Sequence, residues 1–122
     1  MKKLFLFAFF HFSLIALSFG QIGEVKKSGN KLLVYDELGK SISYNGISIS
    51  NNATFYYSNC LIVILDGDRI TVFDSECKQT CHKAYIATQH KSFKVSGCKI
   101  VITYKSGGIC TYNDKFEKIS CN

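Results

Sequence analysis

Three segments of this 122-residue chain carry the same residue pattern in the same order. The first runs Lys27-Ser28-Gly29-Asn30-Lys31-Leu32-Leu33-Val34-Tyr35-Asp36 and continues to Lys40 and Ile42. The second is Asp66-Gly67-Asp68-Arg69-Ile70-Thr71-Val72-Phe73-Asp74, continuing to Lys78 and Thr80. The third is Lys105-Ser106-Gly107-Gly108-Ile109-Cys110-Thr111-Tyr112-Asn113, continuing to Lys118 and Ile119. Their anchors, Tyr35, Phe73 and Tyr112, lie 38 and 39 residues apart. Between the second and third copies the match extends backwards, aligning Ser58 to Ile64 with Ser96 to Ile102, and Phe55 with Phe93. Beyond the anchor, Cys81 aligns with Cys121. A unit this short cannot bury an apolar face alone, so successive copies must pack on one another.

Each copy reads as strands. Leu61 to Leu65 is an unbroken apolar run suited to a strand buried on both faces. Asp66-Gly67-Asp68 is a hairpin turn, because Gly and Asp tolerate positive φ. Arg69 to Phe73 then alternates polar and apolar residues, as a half-buried strand does. Lys99 to Tyr104, the turn Ser106-Gly107-Gly108, and Ile109 to Tyr112 repeat the arrangement. Ile47 to Ser50 and Thr54 to Tyr57 read as shorter strands, with Tyr85 to Thr88 and Ser92 to Val95 as their counterparts. The expected fold is all-β, with about ten short antiparallel strands from a ~38-residue unit present about two and a half times. A compact sandwich or open barrel buries both sets of apolar faces within one chain.

The pattern Ser-Gly-x-x-Ile-x-x-Tyr-Asp-x-x-x-Lys-x-Ile resembles the repeat unit of secreted bacterial β-propeller-like proteins. The resemblance rests on Tyr35-Asp36, Gly39-Lys40 and Ile42, with copies around Phe73-Asp74 and Tyr112-Asn113. It implies four-stranded blades. Two and a half units fall short of the four blades of a closed propeller, so the alternative architecture is a set of incomplete propeller-like blades.

The N-terminus sets the compartment. Lys2 and Lys3 precede an apolar run from Leu4 to Phe19, shorter than the ~20 residues of a spanning helix. Ser18 and Gly20 suit signal peptidase. Residues 1–20 are therefore expected to be a signal peptide, and 21–122 a single disulfide-stapled domain with no stable membrane insertion after cleavage. Loss of Lys2 and Lys3 lowers the formal net charge from +6 to +4. The lysines are scattered, and Arg69 is the only arginine, so nucleic acid is not an expected partner.

All six cysteines, at 60, 77, 81, 98, 110 and 121, lie beyond the apolar run, and an even count in an exported chain points to three disulfides. Equivalent roles for equivalent cysteines give Cys60–Cys81 and Cys98–Cys121, leaving Cys77–Cys110. Cys60–Cys77 is the rival. Cys77-x3-Cys81-His82 has only superficial metal-ligand spacing, and no CxxC pair accompanies it. Asp66 and Asp68 lack the further oxygens of a calcium loop. Neither a metal nor another cofactor is expected.

His82 and His90 have no evident acidic orienter, and no serine or cysteine sits in a nucleophile motif. Phe55-Tyr56-Tyr57 puts rings on both faces of one strand, so at least one ring points away from the core. Tyr56, Tyr57, Tyr44 and Tyr85 are the candidate binding residues, with Tyr104 a further candidate for exposure. Exposed tyrosines among lysines suit protein or glycan recognition. Asn52-Ala53-Thr54 is a glycosylation sequon on a turn. The expected function is a secreted, non-enzymatic binding module, of inhibitor or immunity type, for an extracellular or periplasmic partner. A small secreted hydrolase using His82 or His90, and a cationic toxin, are the alternatives.

Overall fold

The computed structural model describes residues 21–43 and 45–122. The expected signal peptide and Tyr44 lie outside the described residues. The all-β expectation holds: the described residues form eleven strands in three antiparallel sheets. The first sheet contains β1 (Ile22–Ser28), β2 (Lys31–Asp36) and the two-residue β3 (Ile47–Ser48). The middle sheet contains β4 (Thr54–Tyr57), β5 (Ile62–Asp66), β6 (Arg69–Phe73) and β7 (Gln79–Ala84). The third contains β8 (His90–Ser96), β9 (Lys99–Tyr104), β10 (Ile109–Tyr112) and β11 (Lys118–Cys121). In all three the spatial order follows the chain order.

The arrangement is neither a two-sheet sandwich nor a closed barrel. Short local turns close each meander on itself, so each segment makes a sheet of its own. Strand β5 explains how the sheets stack. Ile62 and Ile64 pack with Val25, Leu32 and Val34 of the first sheet. Leu61, Val63 and Leu65, on and beside the same strand, pack with Ile100, Ile102 and Tyr112 of the third. The middle sheet thus has apolar neighbours on both faces, as the unbroken run 61–65 requires.

Three turns share one hydrogen-bond pattern. Asp36 accepts the amides of Leu38 and Lys40 on Oδ1, Asp74 those of Glu76 and Lys78, and Asn113 those of Lys115 and Glu117. In each, the fourth residue has positive φ: Gly39 at 84°, Cys77 at 63° and Phe116 at 55°. Glycine takes this conformation without steric cost. Phe116 takes it with its ring stacked on Tyr112, centroids 4.4 Å apart.

The disulfides differ from all three expected pairs. Cys60 is bonded to Cys98 and Cys110 to Cys121, and Cys77 and Cys81 are free thiols. Stacking explains the first bond, since it brings corresponding positions of adjacent sheets side by side. Register explains the second. Cys110 lies directly opposite Cys121, whereas Cys81 lies opposite Val72. His82, not Cys81, stands where Cys121 stands, because it faces Thr71 across β6 and β7 as Cys121 faces Cys110. A one-residue slip turns a side chain to the other face of its sheet. Cys81 accordingly packs in the core towards the third sheet, and Cys77 against the core towards the first. The two remaining thiols are on opposite faces and cannot pair with each other.

The segment 85–88, expected as a strand, is instead a connection that runs into a 3-10 turn at Ala87–Gln89. The Tyr85 amide donates to the Asp68 carbonyl at 2.7 Å, and that of Lys105 to the Gln89 carbonyl at 3.0 Å, so this backbone is spent on loops.

Candidate functional site

A cleft of about 620 Å³ opens where the first sheet meets the edge of the middle one, lined by Gly23, Glu24, Lys26, Tyr35, Glu37 and Tyr57 among others. A β-bulge between Ile22 and Glu24 interrupts the β1–β2 register beside the cleft-lining Gly23. Only glycine fits at position 23, because a Cβ there would lie 2.5 Å from the Asp36 carbonyl oxygen. The Asp36 side chain is buried, and its carboxylate oxygen is occupied by the turn amides. Glu24 and Glu37 are exposed, so the free charge at this end of the cleft is acidic. Lys26 lies 5.9 Å from the centre of the Tyr35 ring and 3.7 Å from Glu24, and both are weak, solvent-exposed contacts. Tyr57, from β4, is 40% exposed and forms the opposite wall.

The sequence-derived tyrosines separate into two environments. Tyr57 points into the cleft, with Phe55 stacked beside it at 6.5 Å. Its neighbour Tyr56 faces the third sheet, its ring 4.8 Å from that of Phe93. Tyr85 is buried rather than exposed. It packs edge-on to Phe93 and Phe116, and its hydroxyl is hydrogen-bonded to His90 Nδ1 at 2.9 Å. Burial, reinforced by the neighbouring Tyr112 and Tyr56, pushes the Tyr85 hydroxyl up to about 12. Tyr104 is half-buried, bonded to the Tyr112 hydroxyl at 2.6 Å, and raised for the same reason and by that bond. Tyr56, Tyr85, His90 and Tyr112 thus form inter-sheet packing. Tyr104 packs against the same core and borders a separate hollow of about 350 Å³ with Gln89 and Lys105. Within the described residues, Tyr57 alone of the sequence-derived tyrosines lines the larger cleft. Tyr35 completes that cleft without having been singled out by sequence reasoning. Its alternation with buried Val34 puts it on the outer face of β2.

His82 lines a smaller groove of about 270 Å³, with Ser48, Asp66, Arg69 and Thr71 among its walls. Its Nδ1 is hydrogen-bonded to Thr71 Oγ1 at 2.8 Å. That bond joins the strand pair where the Cys110–Cys121 disulfide joins β10 and β11, so it has a structural equivalent one sheet away. Among the described residues neither histidine is hydrogen-bonded or ion-paired to a carboxylate.

Burial raises both free thiols above the usual cysteine range. Asp74 adds to the effect at Cys77 while a hydrogen bond to Ser43 opposes it, and Lys83 opposes it at Cys81. Neither is therefore activated as a thiolate nucleophile. Among the described residues no three His, Cys, Asp or Glu side chains converge as metal ligands.

Among the described residues no helix is long and apolar enough to cross a membrane. Comparison with known protein families and with curated proteins finds no match to this chain.

Proposed function

We propose that the chain is an exported, non-enzymatic recognition module, built from a repeated strand unit, that binds a protein or glycan through the cleft between Tyr35 and Tyr57. The observation that carries this reading is the cleft itself. Two accessible tyrosines from different sheets face one ~620 Å³ concavity whose free charges are two carboxylates and a lysine. Aromatic walls with a few polar groups suit ring stacking and hydrogen bonding to a sugar or an aromatic side chain. Export is supported by the two disulfides and by the apolar segment ahead of Gln21. The repeat is supported by the three turns of identical bonding at Asp36, Asp74 and Asn113. Four-stranded meanders stacked in chain order are in keeping with propeller-like blades.

The test compares the native chain with Tyr35→Ala and Tyr57→Ala for capture of secreted proteins of its source and for binding to a glycan array. Each variant should lose most of the affinity for the partner found. A Tyr57→Ala protein that binds the same partner as tightly as the native chain sinks the proposal.

A further inference from the structure

Among the described residues the first sheet has three strands where the other two have four. The register identifies the missing one. Val25 lies opposite Val34, Val63 opposite Val72, and Val101 opposite Thr111, so β1, β5 and β9 hold the same place in their sheets. On its free side β5 pairs with β4, Tyr56 lying opposite Val63. On its free side β9 pairs with β8, Lys94 lying opposite Val101. Among the described residues strand β1 has no such neighbour.

The Ile22 amide at the start of β1 donates to the Asn59 carbonyl at 2.9 Å, and beyond the bulge the edge of β1 is unspent. The Val34 amide donates to Ser43 Oγ, and its carbonyl accepts from the Ile42 amide. Both groups therefore point away from β1, and Val25 is a non-hydrogen-bonded partner of Val34. The amides and carbonyls of Val25 and, two residues on, Lys27 face outward along the edge.

Strand β4 supplies a wall for the vacant lane. On its side towards the third sheet, Tyr56 is covered by Phe93 of β8. On its side towards the first sheet, Phe55 packs at the margin of the core that the two sheets share, and Tyr57, beyond it, is left 40% exposed along the cleft. The lane is one strand wide, because the middle sheet extends past β1 by β4 alone. An extended segment with no sheet behind it suits a lane of that width.

We infer that the partner of this cleft is an extended peptide that adds to β1 as an antiparallel fourth strand of the first sheet. It bonds to the backbones of Val25 and Lys27 and lays an aromatic side chain against Phe55 and Tyr57, as Phe93 lies on Tyr56. Glu24 and Glu37 favour basic residues at its end nearest Gly23. Main-chain bonding supplies the affinity in strand addition, and alternate side chains supply the selection. The inference rests on the export reading, in which cleavage after Gly20 leaves Gln21 alone ahead of β1.

The chain's own β8, HKSFKVS, carries the required aromatic between lysines, so a capped synthetic peptide of that sequence is the probe. It is titrated into the chain recovered after export with its leader, and backbone amide shifts and hydrogen exchange are followed by NMR. Binding should shift and protect the Val25 and Lys27 amides. Tyr57→Ala should weaken it by about fivefold or more, and Phe→Ala in the peptide should do the same. Unchanged Val25 and Lys27 amides at millimolar peptide, or shifts confined to other strands, overturn the inference. If Tyr35→Ala and Tyr57→Ala still abolish capture of the native partner in that case, the recognition reading stands and strand addition alone fails.

Discussion

Cys60 is bonded to the residue 38 positions further on, Cys98, the same interval that separates Asp36 from Asp74. The bond ties the loop ahead of β5 to the turn between β8 and β9, and so clamps the middle sheet to the third. Ser58 reinforces it, its hydroxyl donating to the Gly97 carbonyl. The Cys110–Cys121 bond spans 11 residues and joins two adjacent strands within one sheet.

Alkylating the native protein without reduction should therefore add two labels per chain, at Cys77 and Cys81, and non-reducing peptide mapping should recover Cys60 with Cys98. Labelling should be slow at neutral pH, because both thiols are raised by burial. A Cys60–Cys81 or Cys60–Cys77 peptide contradicts the arrangement.

The two bonds should differ in what they contribute. Closing a 38-residue loop restricts the unfolded chain by about 4 kcal/mol and an 11-residue loop by about 3 kcal/mol in the chain-entropy account. Replacing both cysteines of each pair by serine and measuring urea midpoints should show the larger loss for Cys60 and Cys98.

The Asx turns offer a local test. Asp74→Ala removes the acceptor of two backbone amides and should cost about 1–2 kcal/mol. Asp74→Asn should be close to neutral, because Asn113 does the same work in the third turn. Chemical denaturation of both variants decides, and an equal loss in the two would refute the role of the side-chain oxygen.

Alkaline pH should weaken the fold. The ordinary tyrosine value is near 10.0, and that of Tyr85 in the fold is about 12. Between these values the unfolded chain releases the proton and the folded chain keeps it. Stability is therefore full below pH ~10 and falls as pH rises through ~12. Denaturation midpoints measured from pH 8 to 12, with tyrosinate absorbance, should decline over that window, and Tyr85→Phe should flatten the decline.

Much of this architecture was legible in the chain. The apolar run 61–65 announced a strand with two buried faces, and Asp66-Gly67-Asp68 announced its hairpin. Both signals are local. The pairing of cysteines is not, because it depends on which positions the stack brings together and on a register that shifts between Val72 and Phe73 and again between Thr111 and Tyr112. Strand β7, Gln79–Ala84, was obscure for a related reason: four of its six residues are exposed, leaving little apolar rhythm to read. At the site, Tyr57 was visible as one of an adjacent aromatic pair that must face opposite ways. Tyr35 was hidden in the role of repeat anchor, and its companions Gly23 and Glu37 join it only through the bulge and the turn.

The double burial of β5 has a consequence for how the molecule opens. Peeling away either outer sheet strips one face of the middle one, so neither departure is a local event. Amide protons of Ile62 to Leu65 should reach solvent only when the whole domain opens, while those on the unpaired side of β1 exchange at the rate of an uncovered edge. The exchange map would read as a gradient running outward from one strand.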